Sequence, residues 1–259
     1  MMGHHPRMIG LGGIDRGVRM IVADAQATLE RDCTCGASSH HCPFWGVVAA
    51  KIAAKAPSSL VERYQLALDT FAEVFGPEAW AVDASQIKEP LYTLSSQKWL
   101  DLRVIHLARD VRSAVVSEID SRRRTGRRER LASVTALVAA MRWWRENEKL
   151  EACLRETRLR HRVLGYEEFC LGFQEAFASV CALVDLESVP ASFAVPRANS
   201  HMFIGNRMRV QNEKSTLRYD GRWLTRKEWM VPSILLPFVL TRNRAWVYSN
   251  NIFGVFTRK

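Results

Sequence analysis

The chain has no run approaching the roughly 18 consecutive apolar residues that a membrane-crossing helix needs. Its opening, Met1-Met-Gly-His-His-Pro-Arg, lacks the apolar core of a secretion signal, so the expectation is a cytoplasmic protein with free thiols. No internal repeat and no low-complexity segment is present, which removes repeat architectures and tail-like segments. Acidic residues are the minority: 37 Lys and Arg stand against 27 Asp and Glu, a net charge of +10. Such a balance favours polyanionic partners (nucleotides, acidic glycans, nucleic acid, anionic lipid surfaces) without choosing among them. The two spaced ligand pairs of common zinc modules are missing too. Cys33, Cys35, His40, His41 and Cys42 have zinc-ligand chemistry, but Cys-x-Cys followed by His-His-Cys does not follow that spacing. Zinc, a redox-formed disulfide and free thiols all stay open, with free thiols and no metal as the expectation.

What is present fits an ordinary globular protein. Of 259 residues, 47% are apolar and 25% charged, and the length is enough for one α/β domain with a sizeable core, or at most two small ones. Residues 1–13 are rich in Gly and His. Helical spacing covers residues 14–29, and residues 32–45 form a loop leading into an Ala-rich helix from about Gly46. Ser59-x-x-Glu62 is a capping box that opens a helix ending at Gly76-Pro77. Residues 79–82 read as a short buried strand closing on Asp83. Residues 121–130 hold six arginines, at 122, 123, 124, 127, 128 and 130. That run reads as a solvated loop, as an acceptor-facing loop or, least well because aromatics are not interleaved, as a nucleic-acid patch. An amphipathic helix spans 131–156, a strand 161–166, a helix 167–184, an irregular stretch 188–209 and a helix 223–238. The tail, 245–256, is apolar and aromatic. Cys153, Cys170 and Cys181 fit small core residues.

The organising stretch is residues 104–117, Val-Ile-His-Leu-Ala-Arg-Asp-Val-Arg-Ser-Ala-Val-Val-Ser. Val104 to Ala108 suits a buried strand, and Val111, Ala114 and Val115 take up helical spacing. Asp110 is a good N-cap, since its carboxylate can accept from the free amides of a first helical turn. Arg109 therefore stands where a strand ends and a helix begins, the edge at which open α/β sheets bind ligands. A planar cationic fork at Arg109 and a neutral donor at Ser117 suit a phosphate.

Arg109-Asp-x-Arg112-x-x-x-x-Ser117 resembles the 3′-phosphate motif of the sulfotransferases that use 3′-phosphoadenosine 5′-phosphosulfate (PAPS). Four further segments resemble that family in order. Ala81-Val-Asp-Ala-Ser85 is similar to its "Val-Asp-Ser-Ser-Lys", with Gln86 at the lysine position and Lys88 two residues on. Cys33-x-Cys35-Gly36 with Cys42-Pro-Phe-Trp45 is like a cysteine-rich segment of one branch. Gly165-Tyr166-Glu167 resembles its "Tyr-Glu-Asp" strand end. His201-x-x-x-Gly205-Asn206-x-x-Arg209 with Tyr219-Asp220-x-x-Trp223 resembles the segment that closes over the nucleotide. The resemblance implies a three-layer, P-loop-like α/β fold with a mostly parallel sheet of about four to five strands, as a single domain over residues 1–259. It implies sulfuryl transfer from PAPS to a hydroxyl or amine of a carbohydrate, lipid or small molecule, with no nucleic-acid partner and self-association open. Arg109 and Ser117 would bind the 3′-phosphate, and Gly205, Asn206 and Arg209 would line the nucleotide. His4, His5 and Asp83 are the candidates for the base.

One departure stands out. The family opens with an apolar strand and a Gly-x-x-Arg-Ser-Gly-Thr-Thr loop whose amides hold the 5′-phosphosulfate at a helix start. This sequence contains no such loop, and Met1–Met8 resembles the segment just after it. The chain thus reads as an N-terminally truncated domain lacking its first strand, with Gly10-x-Gly12-Gly13 no replacement because no strand is expected before it. The family's glutamate near that point is here Gly13. The alternative to an active transferase is a relative that binds nucleotide or a partner without turnover.

Overall fold

The structure, a computed structural model, describes residues 2–85, 89–126, 131–190, 199–204 and 219–248. Its contacts divide the chain into two compact units, Met1–Gln97 with Val189–Thr216, and Lys98–Ser188 with Leu217–Lys259. Both mix helix and strand, and each holds a two-stranded parallel sheet. The expectation of mixed α/β structure with parallel strands holds; one continuous sheet of four or five strands does not, since the four described strands pair two by two.

The first unit opens on a 3₁₀ turn, Met2–His4, followed by strand β1, Met8–Gly12, which runs into helix α1, Ile14–Ala23. The strand before the Gly12-Gly13 turn corrects the sequence reading. Met-Ile-Gly-Leu-Gly carries two poor β-formers, yet four of its five residues are buried. A parallel strand covered on both faces shows this pattern, and pairing makes it rather than propensity. β1 pairs with β2, Trp80–Asp83, from Met8↔Trp80 to Gly12↔Asp83, and Gly10 also bridges Ser200. Residues 14–29 form two helices, α1 and α2, Ala25–Leu29. Asp24 breaks them apart by turning extended, and its carboxylate caps the Ala27 amide at 3.0 Å. Helix α3, Trp45–Lys55, and helix α4, Leu60–Phe75, complete the cover, with the Ser59/Glu62 capping box formed as expected; α5, Glu89–Ser95, follows β2. Met8, Leu11, Ile14, Val18, Phe44, Trp45 and Val48 fill the core. Gly17 is needed there, because a Cβ would stand 2.6 Å from the Trp45 ring.

In the second unit β3, Arg103–Ala108, lies parallel to β4, Arg160–Gly165, in a continuous register from Arg103↔Arg160 to Ala108↔Gly165. Helix α6, Val111–Arg124, packs Val111, Val115 and Ile119 against Ala136, Ala139 and Ala140 of α7, Ala132–Thr157. The helix expected over 167–184 is two, α8, Tyr166–Leu171, and α9, Phe173–Leu183, parted at Gly172. The helix expected over 223–238 is a 3₁₀ turn, Arg222–Thr225, then α10, Met230–Leu235, and α11, Pro237–Val247. Pro237 has no amide to extend α10 and forces Leu236 out of helical geometry. α11 seats on β4 so closely that a Cβ on Gly165 would stand 1.9 Å from the Val247 carbonyl oxygen. Among the described residues no helix is long and apolar enough to cross a membrane.

Candidate functional site

The β3–α6 edge is built as the residues dictate. Asp110 is fully buried, and its Oδ1 accepts from the Arg112 amide at 2.7 Å, the cap expected of it. The same carboxylate takes Arg112 Nη2 at 2.6 Å and the Tyr248 hydroxyl at 2.7 Å. Burial alone would raise its pKa, but the Arg112 guanidinium and these donors outweigh burial and hold it below the usual carboxylate value. Glu167, at the start of α8, accepts the Asp110 amide on both oxygens at 3.1 Å, and Asn243 accepts the Val111 amide at 2.8 Å. Burial pushes the Glu167 carboxyl up. The first amides of α6 are therefore already satisfied by side chains. Arg112 itself stacks on the Trp223 ring at 3.7 Å.

Arg109 is the cation left facing the edge. Its carbonyl accepts from Trp143 Nε1 at 2.8 Å, which fixes the backbone, and its guanidinium lies 5.7 Å from the Tyr166 ring. Nη2 pairs with Asp220 Oδ2, whereas the buried Nε has no partner among the described residues. Arg222 grips the same Asp220 carboxylate through Nε at 2.8 Å and Nη2 at 2.7 Å. Arg222 is the main cause, with Arg109 adding, of an Asp220 carboxyl held far below its ordinary range. Arg222 also reaches Asp120 Oδ2 through Nη1 at 2.8 Å, so the two guanidiniums face two carboxylates. Ser113 Oγ donates to the Asp220 carbonyl at 3.4 Å. Ser117 is half-buried one turn further along α6, without a hydrogen-bond partner among the described residues. Of the arginine run, Arg122, Arg123 and Arg124 close α6, with Arg122 held by Glu118 at 2.8 Å; Arg127, Arg128 and Arg130 lie outside the described residues.

The other strand–helix edge, β1–α1, carries two carboxylates, Asp83 and Asp15. Gly12 turns the chain at φ +75°, where side chains are strained. Asp83, at the end of β2, accepts from the Ile14 amide at 3.2 Å, Ser85 Oγ at 2.5 Å and the Tyr64 hydroxyl at 2.6 Å. The residue keeps a solvent-facing side, but packing around the carboxyl raises its pKa against those bonds. Asp15, in the first turn of α1, is buried and held by Arg63 at 2.9 Å and Arg19 at 2.5 Å. His5 is buried with Nδ1 accepting from the Arg7 amide at 3.1 Å, and His4 ends the 3₁₀ turn, so both serve the entry to β1.

The cysteine loop of this unit gathers more than the sequence indicated. Cys33, Cys35 and Cys42 converge with His201, their ligand atoms all within 4.8 Å of one another. His40 and His41, the histidines the spacing singled out, are exposed. Cys42 is pulled down, first by the Cys33 thiol and then, against burial, by the His201 ring; Cys33 is pushed up in the same exchange.

Gly205, Asn206 and Arg209 lie outside the described residues. The partnership of Asp220 with Arg109 was missed because nothing in either local pattern pairs residues so far apart. A scan against protein-family models, a search of curated proteins and a search of solved structures each found no match.

Proposed function

We propose that this chain binds a 3′-phosphorylated adenine nucleotide of the PAPS type and belongs to sulfuryl-transfer chemistry. The observation that carries the reading is Arg109. It ends a parallel strand ahead of a fourteen-residue helix, bears a buried Nε with no partner among the described residues, and shares with Arg222 a single carboxylate. A phosphate that displaced Asp220 would take the Arg109 fork, whose Nε–H is unspent, and as a doubly charged group it suits that fork better than the carboxylate does. Ser117 adds a neutral donor from the same helix. The five-segment resemblance to PAPS sulfotransferases supports the same reading.

In that chemistry the protein positions donor and acceptor and stabilises negative charge on the transferring group and on the departing phosphate. A base takes the proton of the acceptor hydroxyl or amine. Of the base candidates, Asp83 has a carboxyl held above the usual carboxylate pKa, packing around it outweighing the donors it accepts from. His5 is a poor one with Nδ1 committed to an amide, and His4 sits beside it in the same entry turn.

A second reading, binding without turnover, is favoured by the β1–α1 edge. The Ile14 amide there already holds the Asp83 carboxylate, and Asp15 lies buried in the same first turn. A phosphosulfate would have to displace the Asp83 carboxylate from the Ile14 amide at that helix start. Labelled-sulfate transfer to a panel of glycan, lipid and small-molecule acceptors, alongside nucleotide binding, separates the readings. Transfer supports the enzyme, binding alone supports the second reading, and neither would refute both.

A further inference from the structure

The cysteine loop carries an inference that does not rest on the nucleotide reading. Residues 31–44 form a tight loop: Asp32 bridges Ser38, the Cys33 amide donates to the Ala37 carbonyl at 2.8 Å and the Gly36 amide to the Cys33 carbonyl at 3.0 Å. Gly36 adopts φ +97°, which a residue with a side chain would resist. This turn presents Cys33 and Cys35 together. Cys42 comes from just ahead of α3, and the Trp45 amide of that helix points at its Sγ at 3.5 Å. The fourth group, His201, is 159 residues from Cys42 in the chain and brings Nδ1 to 3.3 Å from Cys42 Sγ.

The separations decide what such a group can be. Cys33 Sγ and Cys42 Sγ are 3.6 Å apart, far beyond a bonded pair of sulfurs. Zinc–sulfur bonds of about 2.3 Å and zinc–nitrogen bonds of about 2.0 Å in a tetrahedron give edges of about 3.8 Å between sulfurs and about 3.5 Å between sulfur and nitrogen. The Cys33–Cys42 separation and the 3.3 Å from Cys42 to His201 are close to those edges, and all four ligand atoms lie within 4.8 Å of one another. Cys33, Cys42 and His201 are buried and Cys35 is half-buried, so the centre is screened from solvent. Around it the segment 199–204 is already held in place. His201 donates its amide to the Gly10 carbonyl at 2.7 Å, its carbonyl accepts from Trp45 Nε1 at 2.6 Å, and its ring packs 5.0 Å from that of Phe75. The Thr34 amide donates to the Met202 carbonyl at 3.1 Å, and Thr34 Oγ1 accepts from the Met202 amide at 2.9 Å.

We propose that Cys33, Cys35, Cys42 and His201 form a closed, tetrahedral structural site for one zinc ion, which ties the loop at 31–44 to the segment at 199–204. Three soft sulfurs and one imidazole select zinc over hard cations, and four protein ligands leave no open position for catalysis. Loading is not a redox step: the thiols release protons to solvent as their sulfurs bind.

The test is elemental analysis of the full chain, purified under reducing conditions and then incubated with zinc and desalted. One equivalent is expected. Cobalt loading should give the visible bands of a tetrahedral thiolate centre. His201→Ala should weaken zinc binding more than about 100-fold, beyond the effect of losing an outer-shell partner, whereas His201→Cys should restore one equivalent. Should His201→Ala fail to fold, the metal content and cobalt spectrum of the unaltered chain decide alone. Less than a tenth of an equivalent of zinc, or a Cys33–Cys42 disulfide in the reduced preparation, overturns the proposal.

Discussion

Arg109 and Asp220, 111 residues apart in the chain, form an ion pair that occupies one arm of the arginine and leaves its Nε without a partner among the described residues. Asp220 thus acts as an internal competitor for whatever anion Arg109 binds. Replacing it with asparagine should raise the affinity for adenosine 3′,5′-bisphosphate. An exposed to half-buried pair contributes about 0.2–1 kcal/mol, so a gain of up to about fivefold is expected by calorimetry. A loss of affinity would make Asp220 part of the nucleotide site rather than its rival.

Asp110 should matter for stability. Asp110→Ala removes the cap of α6 and leaves Arg112, Asn243 and Tyr248 without their shared carboxylate. A cost of about 3–5 kcal/mol in chemical denaturation is expected, as for breaking a buried ion pair. The carboxyl is held below its ordinary pKa in the folded state. Its contribution is therefore complete above the unfolded value of about 3.9 and fades as pH falls through the folded one. The gap between the protein and Asp110→Asn should accordingly narrow below about pH 4. A gap that stays constant there would contradict the pairing.

Much of this was legible in the sequence, and the failures have physical reasons. The 104–117 stretch announced itself because a β-branched run, a capping aspartate and helical spacing follow one another without conflict. β1 escaped because its two glycines and two-sided burial erase the alternation that marks a strand, and only its pairing with β2 creates it. Helices over 167–184 and 223–238 were drawn too long because apolar spacing continues through Gly172 and Pro237, where the backbone does not. At the cysteine loop, spacing rules looked for a nearby second pair and favoured His40 and His41, whereas the nearby imidazole belongs to His201, brought in by the Gly10–Ser200 bridge.

Gly165→Ala should be one of the most damaging single-atom changes in the chain. The added Cβ would fall 1.9 Å from the Val247 carbonyl oxygen, and that neighbour is backbone rather than a movable side chain. α11 must separate from β4, at a cost of roughly 2–4 kcal/mol, in the range of overpacked cores and beyond. Thermal melting checks this, and an unchanged midpoint would refute the close seating of α11.

Asp83→Asn separates base from cap. Asparagine keeps an acceptor for the Ile14 amide and the same shape, but takes no proton. If Asp83 is the base, transfer should fall by about 100-fold or more while nucleotide affinity stays the same. Equal loss of both would assign it to the fold alone.

The central claim is that Arg109 reads a 3′-phosphate, and calorimetric titration with adenosine 3′,5′-bisphosphate and with adenosine 5′-monophosphate tests it most directly. The account predicts that the bisphosphate binds more tightly than the monophosphate, and that Arg109→Ala costs about tenfold or more for the bisphosphate alone. Equal binding of the two nucleotides, or an Arg109→Ala variant that binds the bisphosphate as well as the unaltered chain does, would contradict it.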